Sequence, residues 1–303
     1  MAPYLAGILM ILCAAALFGS LGPAERVAFE AGVTPAGVSF VRAVFGAVAV
    51  GCYAFFKHPE TLRPGGKDVW KHVFSGLTGI VFVYYLSNIA FVTIPVSLAV
   101  LLFYTNPFWT VIGATVLGKE RLTPLRVTAM MAGFIGVWVA VGGPKGGTFD
   151  FWGAFCAVAS GIGYSLYMLN SRYGTGRRDP VRTFVQMFLW GAVLMTVITV
   201  FLGEIPDFGN LPAAGWVSLL HLAVFPTVFS YVLISLALRR IPSSVAAITS
   251  MSEILFATFL ASFLLQESPT PEALKGGALI VGAVVILILE GGGFFGRKPL
   301  SSQ

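Results

Sequence analysis

The sequence has 303 residues, of which 57% are hydrophobic and only 11% carry a charged side chain. Soluble domains average about 25% charged residues, and a soluble fold of this size would leave large apolar patches exposed. An ordinary soluble protein is therefore excluded. The net charge of +6 is explained better by its distribution along the chain than by nucleic-acid binding, so we expect no nucleic-acid partner.

Long apolar blocks follow one another along the chain. About 20 apolar residues cross the hydrocarbon core of a bilayer as a helix, and each block is too continuously apolar for an alternating barrel strand. We predict an all-α integral membrane protein embedded in a lipid bilayer. Its ten transmembrane helices are expected at about 4–22, 35–56, 72–93, 96–118, 123–142, 149–171, 181–202, 213–238, 243–265 and 272–290.

The first apolar block ends in small residues, as a secretory signal peptide does. No Lys or Arg precedes it, although a signal peptide needs a positively charged start. We therefore predict a retained transmembrane helix.

The three cysteines, Cys13, Cys52 and Cys156, lie inside predicted helices. Their spacing is that of neither a disulfide framework nor a metal site, so we expect small buried apolar residues. The sequence contains no His-Glu-x-x-His, Gly-x-Ser-x-Gly or phosphate-loop motif. We predict no metal, no cofactor and no enzymatic activity.

Lys and Arg are distributed unequally between the two predicted sides of the membrane. Fifteen of the 19 lie on the side that carries both termini, three (Arg26, Lys145 and Lys275) lie on the other side, and Arg42 falls within a span. Cytoplasmic loops carry the excess of positive residues, so both termini are predicted to be cytoplasmic. An even number of helices leads to the same topology.

The chain contains an internal repeat. Residues 81–124 align with 228–271 at a constant offset of 147 without a gap, and the matches include Pro95 with Pro242 and Glu120 with Glu267. We predict a first five-helix repeat over 1–145, a second over 146–292 and a cytoplasmic tail over 293–303. Because five is odd, the second repeat enters the membrane from the opposite face, which is typical of secondary transporters with a midplane site between the halves.

A signature motif ends the fourth helix of each half. Leu117–Thr123 (LGKERLT) and Leu264–Thr270 (LLQESPT) resemble the twice-repeated L-G-E-R-L-T motif of the EamA branch of the drug/metabolite transporter superfamily. The second copy departs from it, with Gln266 in place of Gly and Ser268 in place of Arg. The resemblance implies two inverted repeats, a bacterial inner (plasma) membrane location and export of small molecules, and extends to the YddG-type exporters of aromatic amino acids.

Two polar residues occupy equivalent mid-span positions in the two halves. Glu253 lies near the middle of the ninth span, and its repeat partner Asn106 near the middle of the fourth. Charged residues inside a membrane are costly and often functional. Glu253 is either a carboxylate that binds substrate or protons or a structural group bonded to a neighbouring helix.

Arg42 and His221 also lie within predicted spans. Arg42 cannot readily lose its charge, and we interpret it as a structural clamp on an acid such as Glu253 or on a helix-end carbonyl. His221 is able to shuttle protons, but a neutral histidine bonded to a neighbour is favoured. Both are therefore candidate coupling residues.

Several tyrosines and one asparagine lie too deep for the interfacial aromatic belts. Aromatic walls with a few hydrogen-bonding groups suit an apolar or aromatic small molecule. With Asn106 and Glu253, the candidate substrate-binding residues are Tyr84, Tyr85, Asn88, Tyr104, Tyr164, Tyr167 and Tyr231.

Four prolines are candidate hinge or kink positions. Pro107 and Pro226 lie mid-span and free a backbone carbonyl, while Pro95 and Pro242 lie in the equivalent short links. Small residues in the fifth and tenth spans allow close helix approach. We interpret these two spans as packing elements, with a homodimer face as the alternative.

These patterns favour a secondary transporter that exports small metabolites by alternating access between its repeats. Aromatic or other apolar amino acids are the expected small-molecule substrates. The alternative is a broad exporter of drugs or lipophilic cations, because a carboxylate such as Glu253 facing aromatic rings also suits a cation. A channel is disfavoured, since the sequence lacks a continuous polar stripe.

Overall fold

The structure is a computed structural model that describes residues 2–63, 69–143, 150–174, 180–265 and 270–292. Within these ranges the chain forms ten helical segments and no β-strand, so the predicted all-α fold is confirmed. In chain order the helices are α1 (Ala2–Glu30), α2 (Pro35–Lys57), α3 (Val69–Thr93), α4 (Val96–Phe103 and Asn106–Val116), α5 (Pro124–Ala140), α6 (Phe151–Tyr173), α7 (Pro180–Leu202), α8 (Ala213–Ala237), α9 (Ser243–Ser250 and Glu253–Leu265) and α10 (Pro271–Gly291).

The helices match the predicted spans with one clear difference. Among the described helices, nine are long and apolar enough to cross a bilayer, and α5 is an apolar helix of 17 residues. The first span was predicted to end near residue 22, but α1 turns at Gly19 and Ser20 and continues to Glu30. This extension brings Glu25 into the protein interior.

The matched Thr-Pro pairs of the repeat begin α5 and α10. Thr123 Oγ1 accepts a hydrogen bond from the Arg126 amide at 3.2 Å, and Thr270 Oγ1 accepts one from the Ala273 amide at 3.2 Å. Threonine satisfies an otherwise unpaired amide at a helix start, and proline suits the first helical position. The same local chemistry therefore starts the last helix of each half.

Equivalent helices of the two halves are distorted at equivalent places. Residues Leu77–Leu86 of α3 and Ala223–Phe229 of α8 are π-helical, and α4 and α9 are interrupted just before Asn106 and Glu253. A proline lies at the distortion of α4 and another at that of α8. The equivalent distortions of α9 and α3 contain no proline. The repeat therefore preserves each distortion without requiring a proline.

The two remaining candidate hinge prolines adopt matching conformations. Pro95 caps α4 with φ −52° and ψ 132°, and Pro242 caps α9 with φ −57° and ψ 151°. Each link thus enters its helix in the same extended geometry. A hinge motion at these links remains a prediction.

The last helices of the two halves, α5 and α10, pack closely against each other. A Cβ on Gly136 would lie 2.8 Å from the Gly276 carbonyl oxygen and 2.8 Å from Ile280 Cγ1. Only small residues permit such a backbone approach. Gly282, by contrast, has open space around its Cα. The small residues therefore serve packing within one chain, and the homodimer face remains a prediction.

The helix ends lie on two sides, and we call the side where α2, α4, α6, α8 and α10 end the basic side. Hydrogen bonds join the loops and helix ends on the basic side. Arg182 Nη2 donates to the Arg63 carbonyl at 2.9 Å, and Arg172 Nη1 donates to the Leu238 carbonyl at 2.7 Å. Arginine side chains thus satisfy backbone carbonyls at the ends of the spans.

The cysteines divide into two groups. Cys156 is buried, as predicted, but Cys13 and Cys52 are exposed on the outside of the bundle. The prediction that these two are buried is wrong, because each lies on an outward face of an otherwise apolar helix. Large apolar residues such as Phe56, Val116 and Phe201 are also exposed there, as expected where lipid covers the surface.

Some predicted features lie outside the described residues. These are the boundary between the repeats at 145 and 146, the second signature's Gln266, Glu267 and Ser268, and the tail 293–303. Lys67, Lys145, Arg177, Arg178, Arg297 and Lys298 of the charge distribution also lie outside them.

Candidate functional site

Four tyrosines from α3, α6 and α8 meet in the middle of the bundle and form what we call the ring cluster: Tyr84, Tyr164, Tyr167 and Tyr231. The ring centroids of Tyr84 and Tyr231 lie 5.8 Å apart with planes at 88°, and those of Tyr167 and Tyr231 lie 5.1 Å apart. Tyr164 is 6.1 Å from Tyr167. All four are at most 4% exposed. The rings fill the midplane, so a substrate bound here must separate them.

The sequence places these rings together by simple rules. Tyr164 and Tyr167 are three residues apart, which puts them on one face of α6, while Tyr84 and Tyr231 are repeat equivalents. The Tyr231 hydroxyl donates to the Gly79 carbonyl at 3.1 Å. Gly79 lies in the π-helical part of α3, where altered backbone pairing is common at functional sites.

An ion pair lies at one edge of the ring cluster. Arg42 Nη1 donates to Glu25 Oε1 at 2.8 Å, Arg42 Nε donates to Thr227 Oγ1 at 3.1 Å, and the guanidinium carbon lies 4.1 Å from the Tyr84 ring centroid. Arg42 and Glu25 are 3% and 4% exposed. Arg42 was expected to hold an acid such as Glu253 or a helix-end carbonyl, and the acid that it holds is Glu25, which the extension of α1 supplies.

Glu253 lies near the aromatic residues that border the ring cluster. It begins the second segment of α9 and is half-buried. The Tyr104 hydroxyl lies beside its carboxyl group, and Phe103 bridges from Tyr104 to Tyr164 with centroid distances of 5.3 and 5.8 Å. The buried Tyr104 hydroxyl forms no well-aligned hydrogen bond with any described residue. A buried hydroxyl beside a carboxyl group is a group able to bind a ligand.

Asn106 occupies the position in α4 that Glu253 occupies in α9. Its amide nitrogen donates to the Phe103 carbonyl at 3.1 Å across the helix interruption, while its Oδ1 has no hydrogen-bond partner among the described residues. Ser165 of α6 donates to the Asn106 carbonyl at 2.7 Å. Both halves thus begin a half-helix with a polar residue at the same depth.

Three candidate residues lie away from the ring contacts. Asn88 donates to Ser39 Oγ at 3.1 Å near the start of α2, and His221 shares a 2.8 Å hydrogen bond with Ser20 at the turn in α1. Tyr85 is half-buried beside the core. Their roles in binding or coupling remain predictions.

A second polar network joins the two halves on the basic side. Glu120, the acid of the first signature, accepts hydrogen bonds from the Tyr173 hydroxyl at 2.6 Å, Ser243 Oγ at 2.7 Å and Arg126 Nη1 at 2.9 Å. Ser244 Oγ donates to it as well. One buried carboxylate therefore joins the end of α4 to α5, α6 and α9.

Arg126 extends this network to α10. Its Nε lies 3.3 Å from Glu290 Oε2, and Thr123 Oγ1 donates to Glu290 Oε1 at 2.6 Å. Arg126 and Glu290 are 3% and 7% exposed. We call the whole set the Glu120 cluster: Glu120, Thr123, Arg126, Tyr173, Ser243, Ser244 and Glu290. The sequence predicted the motif but not this network. The only sequence signal for the network was the short separation between the motif acid Glu120 and Arg126 at the start of α5.

Ten helices in two repeats, with charged and aromatic side chains enclosed between them, are typical of a multi-pass membrane transporter. The model of the EamA-like transporter family matches residues 5–142 and 151–289. The chain therefore belongs to the EamA-like transporter family and is a transporter.

Relatives of known description support this assignment. The chain is 28% identical to an uncharacterized transporter of Archaeoglobus fulgidus, over 91% of this chain and 94% of the relative. It is 26% identical to a probable terminal-alkyne amino-acid exporter of Streptantibioticus cattleyicolor, over 89% of each chain. It is 24% identical to the threonine/homoserine exporter RhtA of Escherichia coli K12, over 82% and 80%.

A protein of known crystal structure has the same fold. It superposes with a TM-score of 0.78 at 22% identity, over 94% of this chain and 96% of the other. The ten-helix arrangement described above is therefore shared with an experimentally determined structure.

Proposed function

We propose that this transporter exports amino acids with aromatic or other apolar side chains from the bacterial cytoplasm. One arrangement carries the proposal: an aromatic cluster enclosed between the repeats, with the Glu25–Arg42 pair against Tyr84 and the Glu253 carboxyl group beside Tyr104. An amino acid offers an apolar side chain to the rings, a carboxylate to a guanidinium and an ammonium to a carboxylate. The names of two relatives, both amino-acid exporters, agree with this chemistry.

The basic side is the proposed cytoplasmic side of the inner membrane. The excess of Lys and Arg on that side of the sequence supports this orientation. Release on the opposite side then requires the two halves to separate around the ring cluster. The Glu120 cluster joins the halves on the basic side, so it has to open for substrate to enter and close for substrate to leave.

In this mechanism Glu253 senses protons or the substrate ammonium. It begins a half-helix, is half-buried and lies beside the buried Tyr104 hydroxyl. A substrate carboxylate that took the place of Glu25 at Arg42 would leave the Glu25 carboxylate buried without its charge partner, which is costly. Arg42 therefore orients Tyr84 and attracts a carboxylate over a distance, while Glu253 remains available for direct binding.

A second candidate function is export of lipophilic cations. The observation that favours it is the proximity of the Glu253 carboxyl group to aromatic side chains, since aromatic faces attract cations. Amino acids remain the stronger candidate, because the arginine beside the rings would repel a cation.

Efflux of labelled phenylalanine and threonine from proteoliposomes, with and without a pH gradient, tests the proposal. We expect saturable flux for the wild type and loss of the response to the gradient in Glu253→Gln. Glu272→Gln, which removes an exposed acid, is the matched control and should behave as the wild type. Movement of tetraphenylphosphonium without movement of any amino acid would favour the second candidate.

A further inference from the structure

The part of α1 that follows its turn is a short helix, Leu21–Glu30. We call it the outer segment, because it lies on the side opposite the basic side. Gly19 and Ser20 interrupt α1 before it, and Gly32 after it adopts a φ of +85°, which glycine reaches without steric cost. The outer segment is therefore a separate rigid piece between two turns, the arrangement of a hinged element.

The outer segment covers the start of α2 and is supported by α8. Its Ala28 and Val38 of α2 are completely buried in one apolar cluster with residues of α8. His221 of α8 shares its hydrogen bond with Ser20 at the turn. Val38 lies four residues before Arg42 and thus on the same face of α2. The face of α2 that carries Arg42 is therefore closed by the outer segment.

Glu25 is the one charged residue of the outer segment that is buried. Arg26 and Glu30 are exposed and pair with each other at 2.8 Å. Glu25 shares one hydrogen bond with Arg42, from Nη1 to Oε1, whereas a guanidinium and a carboxylate can share two. A short outward displacement of the outer segment would bring Glu25 into the aqueous surroundings of Arg26 and Glu30.

Arg42 limits when this displacement can occur. Its guanidinium does not lose its charge, and a buried charge without a partner is costly. Glu253 lies within electrostatic range of Arg42, but its carboxyl group is beside Tyr104. Departure of Glu25 is therefore favourable when another anion binds Arg42 in its place. The cost of an unpaired Glu25 then disappears, because the displaced carboxylate is hydrated.

The surroundings of Arg42 fit an anion with an apolar group. The guanidinium carbon lies 4.1 Å from the Tyr84 ring centroid, and Tyr84 packs against Tyr231 at 5.8 Å. A ligand carboxylate at Arg42 would place its apolar group against these rings once they separate. A small carboxylate with an aromatic or other apolar side chain meets both requirements.

We infer that Glu25 competes with the substrate carboxylate for Arg42 and that the outer segment of α1 is the gate that withdraws Glu25. An amino acid that binds Arg42 through its carboxylate releases the outer segment, and the return of Glu25 displaces the amino acid. Such a ligand opens the gate because it binds Arg42 in the open arrangement alone. The inference rests on the proposed function for the amino-acid nature of the ligand. It adds a gate on the side opposite the Glu120 cluster.

Two acids of the outer segment supply matched variants for a binding test. Glu25→Gln removes the competing charge, whereas Glu30→Gln removes an exposed acid. In titrations of the purified protein we expect Glu25→Gln to lower the dissociation constant of 3-phenylpropionate, a carboxylate without an amine, about tenfold, the equivalent of about 1.4 kcal/mol. Glu30→Gln should match the wild type. A variant that is merely less stable would not bind more tightly.

A labelling experiment tests the movement without relying on transport. Val38→Cys is placed in a protein whose exposed Cys13 and Cys52 are replaced by alanine, and a hydrophilic thiol reagent reports when the outer segment uncovers it. We expect slow labelling without ligand, faster labelling with 3-phenylpropionate and no change with phenethylamine, an amine without a carboxylate. Val27→Cys, at an exposed position of the outer segment, should label at one rate throughout.

The outcomes separate the two proposals. Faster labelling of Val38→Cys with 3-phenylpropionate in a protein that moves no amino acid would overturn the proposed function and leave the gate standing. Amino-acid flux combined with labelling that ignores 3-phenylpropionate would overturn the gate alone, as would equal binding by Glu25→Gln and Glu30→Gln.

Discussion

The two halves of the chain share their helices and their distortions but differ in the charged residues that surround the signature acid. On the basic side, Glu120, Arg126 and Glu290 form a continuous buried network. At the repeat-equivalent positions on the opposite side the chain has Ala273 in place of Arg126 and Gly143 in place of Glu290. The repeat has therefore kept its shape while the two sides of the membrane acquired different polar contacts.

The same contrast appears between α2 and α7. Each begins with a proline, and the eighth residue of each is Arg42 in α2 and Met187 in α7. Arg42 holds Glu25 and lies over Tyr84, while Met187 packs among apolar neighbours. Backbone symmetry gives a carrier two alternative packings, and the unequal charges make those packings unequal in free energy.

The largest expected effect comes from Arg126→Ala, which isolates two buried carboxylates at once. Removing one partner of a buried ion pair costs about 3–5 kcal/mol, so we expect a loss at or above the upper end of that range. The midpoint of thermal unfolding in detergent measures it. Arg121→Ala, an exposed neighbour, should leave the midpoint unchanged, and equal midpoints for both variants would contradict the network.

A smaller loss is expected from Arg42→Met, which isolates only Glu25. We expect about 3 kcal/mol, because a single buried acid is left without its partner. The double variant Glu25→Gln with Arg42→Met should recover part of that loss in the same unfolding assay. A double variant less stable than Arg42→Met alone would show that Glu25 does not depend on Arg42.

The two capping threonines provide a comparison across the repeat. Thr270→Ala should cost about 1 kcal/mol, the usual value of a helix N-cap. Thr123→Ala removes the same cap and also the hydrogen bond to Glu290, so it should cost about 2 kcal/mol. Equal losses would mean that the Thr123–Glu290 contact contributes nothing to stability.

The smallest effects are expected at two equivalent tyrosines. Tyr231→Phe removes a hydrogen bond to Gly79 and should cost about 1 kcal/mol. Tyr84→Phe removes a buried hydroxyl that has no aligned partner among the described residues, so unfolding should be nearly unchanged. A change in amino-acid affinity for Tyr84→Phe at constant stability would assign its hydroxyl to the substrate, whereas a stability loss equal to that of Tyr231→Phe would contradict the comparison.

Long apolar runs and a gapless repeat were enough to predict the helices and their two-fold organisation. The interruption of α4 had a local signal in Pro107, but that of α9 at Met251 and Ser252 had none. It occurs at the position equivalent to the interruption of α4. The internal repeat therefore points to a feature that no proline in α9 indicates.

The candidate site was predictable as a group of residues but not as a set of contacts. Arg26 and Glu30 make the end of α1 resemble a loop in sequence, although they form an exposed pair at 2.8 Å on a continuing helix. The burial of Glu25, which precedes Arg26 in the sequence, depends on Arg42, and a one-dimensional pattern does not place Arg42 beside it. Arg126 and Glu290 are likewise 164 residues apart, so their pairing follows from the packing of α5 on α10.

Glu120 accepts hydrogen bonds from α5, α6 and α9 with one carboxylate. Separating the halves deprives the donors of α6 and α9 of this acceptor in a single step, and a partly separated arrangement would leave several buried groups unsatisfied. Opening on this side is therefore concerted. If the halves alternate as proposed, a one-step opening on this side keeps partly open arrangements short-lived, which limits the leak of ions and metabolites through both faces at once.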